Sequence, residues 1–475
     1  MAFKNLGTVI CPGCFSIYMS EGRGAKGIKA FIARHPAVFI AIVGLVIRAC
    51  LIPFFTYTYD VYHWALTISN LRSGEGLYGL SGYYYTPVWG YFLAGIGSIA
   101  DLLRIADFGD MFYSLAFVNG SEWDYYQALV CTPAFTILVK ATLTIFDLIT
   151  GYLIYVLVKE HTGDGKKAVA AFGLWFLCPI VIYTSAIHGM FDVIAVMTLV
   201  LTVLLLFRRR YGLAGAVFAV SIFTKFFPFY LTLILLVLVL KQEKEAVARR
   251  KALITLVLGF VAMFVLMYMP QIIDGTFLDT FSFVTSRVAE ISVGPEIKDV
   301  WNLIQTIGYT VVIMLQVVIL SVLFVIAQRT YRLPQEGSEF VAKYMHRLML
   351  STAVIFLWTP TPTYLMILLP FLAYAAVTRD ENYIIPFVLI SVFSTLYALA
   401  MHNYSLLFQL YGYFGAVPLD YLVGGIGWLD GTLFNITNRT LVNISLGLAE
   451  TLSIYAIYLF TYWGYMKRNP REGKV

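Results

Sequence analysis

Asp60 has the side chain and the surroundings that suit a general base. It lies in the aromatic run TYTYDVYHW (56–64), which directly follows the apolar segment 36–56. A carboxylate among aromatic rings at the edge of an apolar layer is partly shielded from water, and this shielding favours proton uptake near neutral pH. Aromatic rings are also common at membrane interfaces in their own right. We predict that Asp60 is catalytic, with Tyr62 and His63 as candidate substrate contacts.

Lys225 and Arg287 are the candidate ligands for an anionic group such as phosphate. Lys225 lies in the motif TKFFP, and the apolar arms on either side of it end in two basic stretches, 208–210 and 241–251. This pattern predicts a hairpin with Lys225 near its tip. The alternative, a single helix over 211–240 that contains Lys225, would put the two basic stretches on opposite sides of the membrane. An arginine binds phosphate through its planar fork and a lysine binds it as a point charge.

The motif HGMFD (188–192) predicts an outward turn between two apolar segments. Gly189 suits a tight connection, and His188 and Asp192 flank it as candidate binding residues. Asp192 has a second interpretation, because an aspartate at a helix start can also cap that helix. The further candidates predicted for the same side are Tyr364 and His402.

Charged residues within or beside apolar segments fall in the first half of the chain: Arg48, Lys140, Asp147, Asp192 and Lys225. Charges in a membrane are expensive, so they are usually paired or functional. We expect Lys140 and Asp147 to bond to neighbouring helices. Arg48 either extends its charged end to the membrane surface or pairs with Asp147.

The segments that carry these residues belong to a polytopic membrane protein. Hydrophobic residues make up 60% of the 475 positions and charged residues 13%, which excludes a water-soluble globular chain. Since each crossing must satisfy its own backbone groups, we predict an all-α fold of about 12 transmembrane helices. The predicted crossings are 36–56, 129–158, 168–187, 190–207, 211–224, 226–240, 252–271, 302–327, 343–359, 363–378, 384–401 and 441–466.

Basic residues set the predicted orientation. Most of the 33 lysines and arginines fall in stretches that these crossings place in the cytoplasm, as the positive-inside rule requires. The segment 84–103 is apolar enough to cross, but a crossing there would move the later basic stretches outside. We therefore predict that it lies on the outer surface, within a long first extracytoplasmic loop, 57–128, that contains interfacial helices. Both termini are predicted to be cytoplasmic.

Several of these motifs together resemble the GT-C superfamily of membrane glycosyltransferases, especially mannosyltransferases that use polyprenyl-phosphate sugars. HGMFD is similar to that group's HGQFD, with Met190 in place of Gln, and TPTYLMILLP (361–370) is similar to its SPQYLLWLLP, with Thr363 in place of Gln. The resemblance covers 36–375 and also includes Asp60, the Tyr-Thr-Pro element at 85–87, Cys178-Pro179 and the TKFFP motif.

The resemblance implies an inverting transfer of a sugar, most commonly mannose, from a polyprenyl-phosphate donor to a lipid, glycan or protein acceptor on the extracytoplasmic or lumenal face. In that family the first outer loop supplies the catalytic aspartate, and Asp60 matches its position. Lys225 and Arg287 would bind the donor phosphate. The candidate contacts for the sugar or the acceptor are Tyr62, His63, His188, Asp192, Tyr364 and His402.

No cofactor is expected for this activity. A divalent metal ion is possible but not expected, because the predicted outer segments contain no DxD pair; it would require Asp60 and Asp192 to meet. Cys11 and Cys14 have the spacing of half a zinc site, but no second pair completes it. The expected partners are the bilayer, the lipid-linked donor and the acceptor, and nucleic acid is not expected.

We expect three regions: a cytoplasmic arm over 1–35, a GT-C-like catalytic membrane module over 36–300, and C-terminal membrane helices over 301–475 that select the acceptor. A secondary transporter, a lipid flippase and a non-catalytic subunit of a glycan assembly complex share the composition. Carriers typically have paired halves with charged residues in both. Here the charges found within apolar segments lie in one half, which favours the enzyme.

Overall fold

The computed structural model describes most of the membrane-embedded part of the chain and is mainly helical, which confirms the all-α class. Several predicted features lie outside the described residues, namely most of the arm 1–35 with its two cysteines, the loop section 111–129, and Arg287. The described residues are 30–78, 83, 85–105, 108–110, 130–281, 300–333, 337–357, 362–416 and 439–468.

The described helices differ widely in length. In chain order they are α1 (Pro36–Leu51), α2 (Thr58–Arg72), α3 (Pro87–Leu102), α4 (Pro133–Thr162), α5 (Gly165–Phe176), α6 (Pro179–Ile182), α7 (Asp192–Phe207), α8 (Tyr211–Thr224), α9 (Thr232–Gln242), α10 (Ala246–Ile273), α11 (Val300–Tyr331), α12 (Gly337–Ile355), α13 (Leu369–Thr378), α14 (Ile384–His402), α15 (Phe408–Gly412) and α16 (Arg439–Arg468). Shorter turns are π-helical at Tyr183–His188 and 3₁₀-helical at Phe227–Leu231, Leu278–Phe281, Pro362–Ile367, Glu381–Tyr383 and Asn403–Leu407.

Two short strands, one before and one after residues 111–129 in the chain, lie side by side. β1 (Gly109–Asp110) pairs with β2 (Val130–Cys131) in antiparallel fashion. The amide of Thr132 also donates to the carbonyl of Phe108 over 2.9 Å. Gln409 Nε2, from α15, donates to the Cys131 carbonyl over 3.1 Å. Helix α15 therefore contacts the chain just before the start of α4.

Five described helices are long and apolar enough to cross a bilayer, or six spans if a bent pair counts as one. The bent pair consists of α5 and the continuous segment Pro179–His188, which meet at 51°. Each predicted crossing overlaps a described helix, but several of these helices are short, and the count of twelve crossings stays a prediction. The five long spans are Pro133–Thr162, Ala246–Ile273, Met314–Tyr331, Glu381–His402 and Ile444–Met466.

The predicted hairpin around Lys225 is confirmed, and the alternative of one long helix is wrong. Helix α8 ends at Thr224, Lys225 is extended, and the chain then returns through a 3₁₀ turn into α9. At the open end of the hairpin, Tyr211 Oη donates to Glu243 Oε1 over 2.6 Å. Arg209 Nη2 donates to the carbonyl of Gln242 over 3.3 Å.

The stretches predicted to be cytoplasmic meet at one end of the bundle. Arg208 forms a salt bridge with Glu160, and Lys241 Nζ donates to the carbonyl of Leu333 over 2.8 Å. Contacts between segments so distant in sequence require a shared side, as the charge pattern predicts. Which side of the membrane this end faces stays a prediction.

The apolar segment 84–103 contains α3, which packs one face against the bundle. Trp89 and Leu93 are fully buried. Tyr91 Oη donates to Gln271 Oε1 over 2.9 Å, at the end of α10 that lies away from the basic stretches. The position of α3 relative to lipid stays a prediction. The division of the chain into two membrane regions at residue 300 also stays a prediction.

A fully buried ion pair connects three helices in the first half of the chain, as predicted. Arg48 Nη2 of α1 lies 2.9 Å from Asp147 Oδ2 of α4, and both side chains are 0% exposed. Ser185 Oγ donates to the same carboxylate oxygen over 2.5 Å, and Arg48 Nη1 donates to the Phe176 carbonyl over 2.9 Å. The pair therefore fixes α1 and the bent pair against α4.

Asp147→Ala should destabilise the protein strongly, because it leaves Arg48 buried without its counter-charge. The expected loss is about 3–5 kcal/mol. Glu160→Ala, which breaks the exposed Arg208 pair, should cost no more than about 1 kcal/mol. Thermal unfolding of both variants in the same detergent measures the difference. Equal unfolding temperatures would contradict the anchoring role of Arg48 and Asp147.

Candidate functional site

Asp60 lies in the first turn of α2, where it meets a residue 128 positions away in sequence. Its Oδ2 atom is hydrogen-bonded to His188 Nε2 over 2.7 Å. The Asp60 side chain is 12% exposed and that of His188 is 6% exposed. Of this pair, Asp60 is therefore the member with more access to solvent or substrate.

The turn predicted at HGMFD is present and has a defined geometry. The π-helical turn ends at Gly189, whose φ of +85° lies in the left-handed region that favours glycine. The amides of Gly189 and Met190 both donate to the Thr184 carbonyl over 3.0 Å. Trp64 Nε1 of α2 donates to the Gly189 carbonyl over 3.3 Å. This turn therefore packs directly on the helix that carries Asp60.

Lys140 ties the chain before Asp60 to the chain before His188. Its Nζ donates to Thr56 Oγ1 over 2.6 Å and to the Ile187 carbonyl over 2.9 Å. The Lys140 side chain is fully buried in α4. Its predicted structural role is confirmed, and the segments it joins are those that bring the Asp60 carboxylate to the imidazole.

At the other end of the turn, Asp192 faces Lys225. Lys225 Nζ lies 3.5 Å from Asp192 Oδ1, and the two side chains are 6% and 2% exposed. The capping interpretation of Asp192 is wrong, because α7 begins without a side-chain cap. Among the described residues, neither oxygen of Asp192 nor Nζ of Lys225 has a hydrogen-bond partner.

Three aromatic rings surround the Lys225 ammonium. The ring centres of Tyr85, Phe191 and Tyr364 lie 5.2, 4.7 and 4.9 Å from Nζ. Aromatic faces attract a cation but do not accept strong hydrogen bonds. Tyr364 was predicted for the site, whereas the contacts of Tyr85 and Phe191 were missed, although both lie in motifs that the sequence already marks.

His402 reaches the same site from the C-terminal end of α14. Its ring centre lies 4.5 Å from that of His188 and 4.1 Å from that of Tyr57. Its Nδ1 is hydrogen-bonded to Tyr183 Oη over 2.5 Å. Sequence analysis missed Tyr57 and Tyr183 as ring neighbours of the two histidines, because their contacts depend on how distant segments pack.

Tyr62 and His63 lie on α2 beside Asp60. Arg287, the remaining predicted site residue, is outside the described residues. The His63 ring packs edge-on against Tyr59, with ring centres 4.5 Å apart. Burial lowers the pKa of His63, and the Asp60 charge opposes part of that effect. The net shift favours the neutral form of His63. Tyr62 packs against the hydrophobic core.

Residues 126–360 match the model of Glycosyltransferase family 87, a GT-C type membrane glycosyltransferase family. The chain belongs to the GT-C type membrane glycosyltransferases. No curated protein matches the chain. The matched range contains Lys140, His188, Asp192 and Lys225 but begins after Asp60. Membership favours the enzyme over the secondary transporter, the flippase and the non-catalytic subunit.

The two carboxylates of the candidate site have different partners. Asp60 is bonded to His188 and Asp192 faces Lys225. Within the described part of the chain, no group of three or more histidine, cysteine, aspartate or glutamate side chains is arranged to hold a metal ion.

The expectation that buried charges are confined to the first half is wrong. Glu450 of α16 is fully buried, and its Oε1 accepts a hydrogen bond from Ser394 Oγ of α14 over 2.6 Å. The sequence signal was present, since Glu450 interrupts an apolar segment. The charge pattern therefore no longer counts against a carrier, and the family match carries that decision.

Gly189→Ala should reduce glycosyl transfer by roughly tenfold or more, since displacements near 1 Å at a site can cost about a hundredfold. The added Cβ would lie 2.9 Å from Val61 Cγ2, beside Asp60, at a φ of +85°. Gly163→Ala is the matched control, because Gly163 also has a positive φ, +68°, while its Cβ would meet no described atom within 4 Å. Equal transfer rates in the two variants, measured per mole of folded protein, would show that the packing of this turn is not critical.

Proposed function

We propose that this glycosyltransferase moves a sugar, with mannose as the first candidate, from a polyprenyl-phosphate donor to a lipid, glycan or protein acceptor. The reaction takes place on the extracytoplasmic or lumenal face, with inversion. The observation that carries the proposal is the arrangement of the turn 188–192. At one end of the turn His188 is hydrogen-bonded to the Asp60 carboxylate, and at the other end Asp192 faces the buried Lys225. A base and a phosphate ligand therefore lie in one site.

Asp60 acts as the general base. It takes the proton of the acceptor hydroxyl while that oxygen attacks the anomeric carbon of the donor sugar. The bond between the anomeric carbon and the phosphate oxygen breaks, and its electron pair leaves with the lipid phosphate. Attack on the face opposite the leaving group gives inversion and needs one carboxylate as base. The partial exposure of Asp60 supports its contact with an acceptor.

Lys225 binds the donor phosphate. Its ammonium lacks a hydrogen-bond acceptor among the described residues, although it is almost completely buried. Buried charges are normally hydrogen-bonded, and a phosphate oxygen would supply the acceptor that the aromatic rings cannot. Asp192 holds the ammonium from one side, and Arg287 would supply a second cation. As the leaving phosphate gains charge, the lysine stabilises it electrostatically.

A lipid-linked donor suits the surface next to Lys225. Two of the three phenylalanines that follow Lys225 in the hairpin tip, Phe226 and Phe229, are 36% and 57% exposed. Exposed apolar side chains in a membrane protein face lipid, so a polyprenyl chain can remain in the bilayer while its phosphate reaches the lysine. Tyr62, His63, Tyr364 and His402 are the proposed contacts for the sugar or the acceptor.

Asp60→Asn should reduce sugar transfer by about a hundredfold or more, because the change keeps the shape but removes the base. The assay is transfer of radiolabelled mannose from polyprenyl-phosphate mannose by membranes that contain equal amounts of each variant. Asp101→Asn is the control, since Asp101 lies on α3 of the same outer segment with its side chain 62% exposed. Unchanged transfer by Asp60→Asn would remove Asp60 from the mechanism. If the wild type transfers no sugar from any lipid donor, the proposed donor class is wrong.

Lys225→Met should raise the KM for the lipid donor by roughly tenfold to a hundredfold, the value of a charge-assisted hydrogen bond. The KM for the acceptor should change little. Lys241→Met removes a lysine at the opposite end of the same hairpin, where Nζ donates to the Leu333 carbonyl, and it should leave the donor KM unchanged. A donor KM that is the same in both variants would contradict phosphate binding by Lys225.

A further inference from the structure

We infer that His188 is the positioning residue for Asp60, which it holds through a hydrogen bond from Nε2–H to Oδ2. This inference rests on the proposed function, in which Asp60 is the base. The two atoms lie 2.7 Å apart. The bond engages Oδ2 and leaves Oδ1 outside it, so Oδ1 is the atom that takes the acceptor proton.

Exposure separates the roles of the two residues. A base must touch the acceptor, and the Asp60 side chain is 12% exposed against 6% for His188. The second imidazole nitrogen, Nδ1, is buried and has no hydrogen-bond partner among the described residues. His188 therefore cannot reach a substrate through its far nitrogen and acts through the carboxylate.

The surroundings of His188 prevent its ring from turning away from Asp60. The preceding carbonyl, that of Ile187, accepts from Lys140 Nζ, and the following amide, that of Gly189, donates to Thr184. The imidazole packs edge-on against Tyr57, with ring centres 5.2 Å apart. A histidine that served packing alone would be expected to satisfy both nitrogens, whereas this one is satisfied only towards Asp60.

The charge state of Asp60 depends on all the groups that face this pair. A donated hydrogen bond stabilises an ionised carboxylate relative to its protonated form. Such a bond to a charged group corresponds to a change of about one to two pH units. The titratable groups around the pair are His63 on α2, Tyr57, Tyr183, His402 on α14, Lys140 on α4 and Lys225 in the hairpin.

The first test is the pH profile of kcat/KM for sugar transfer. His188→Phe keeps a planar ring against Tyr57 and His402 but removes the donor. Its acidic limb should move upward by about one to two pH units, with activity partly recovered at high pH. His188→Gln, whose amide can donate at a similar reach, should restore the profile towards that of the wild type. A uniform loss of rate with an unmoved limb would mean that His188 has only a structural role.

His346→Phe is the matched control for burial. His346 and His188 are buried to the same extent, since each residue as a whole is 5% exposed. His346 Nε2 is hydrogen-bonded to Tyr383 Oη over 2.7 Å, away from the site. The acidic limb of the kcat/KM profile of His346→Phe should coincide with that of the wild type. A shift equal to that of His188→Phe would show that the effect comes from general destabilisation, which would overturn the proposal.

The second test needs no sugar transfer and so separates this inference from the proposed function. A water-soluble carbodiimide reacts with protonated carboxyl groups, and mass spectrometry of the purified protein reports labelling of Asp60 at each pH. The midpoint of labelling should rise by about one to two pH units in His188→Phe and stay unchanged in His346→Phe. An unchanged midpoint in His188→Phe would overturn the role of His188 even if Asp60 is the base.

Discussion

The position of the site depends on the desolvation of one ammonium group, that of Lys140. A lysine inside a membrane protein is stable only if acceptors replace the water it has lost. Here Thr56 and the carbonyls of Phe55 and Ile187 supply them. Because these acceptors come from the chain before Asp60 and from the chain before His188, satisfying the lysine also brings the carboxylate to the imidazole.

A second buried pair holds the framework around this bond. Arg48 and Asp147 join α1 to α4, and Ser185 adds the bent segment that leads to His188. Lys140 and Asp147 both lie on α4, so this helix is bonded to the segments that carry the site at two positions along its length. In a water-poor interior each of these contacts is stronger than at a surface. The HGMFD turn follows the segment that takes part in these two buried contacts, and Gly189 within it adopts the left-handed conformation.

The C-terminal helices contribute to this site as well as to the framework. Glu450 and Ser394 connect α16 to α14, and the C-terminal residue of α14, His402, packs against His188. The hydrogen bond between Ser394 and Glu450 therefore also holds α14, the helix that places His402 against His188. The predicted division at residue 300 separates parts of the chain that meet at the site.

The sequence by itself determined the helical class, the hairpin at Lys225 and four of the polar residues of the candidate site. Hydrophobic segment length, basic stretches and costly buried charges are local or additive properties, so they can be counted without a structure. Asp60, His188, Asp192 and Lys225 stood out for this reason. Only the tertiary structure decided the pairing: Asp60 bonds to His188, and Asp192 faces Lys225 instead of capping its helix. Partners 128 residues apart in the chain, as Asp60 and His188 are, are chosen by packing around Lys140, and no spacing rule encodes that choice.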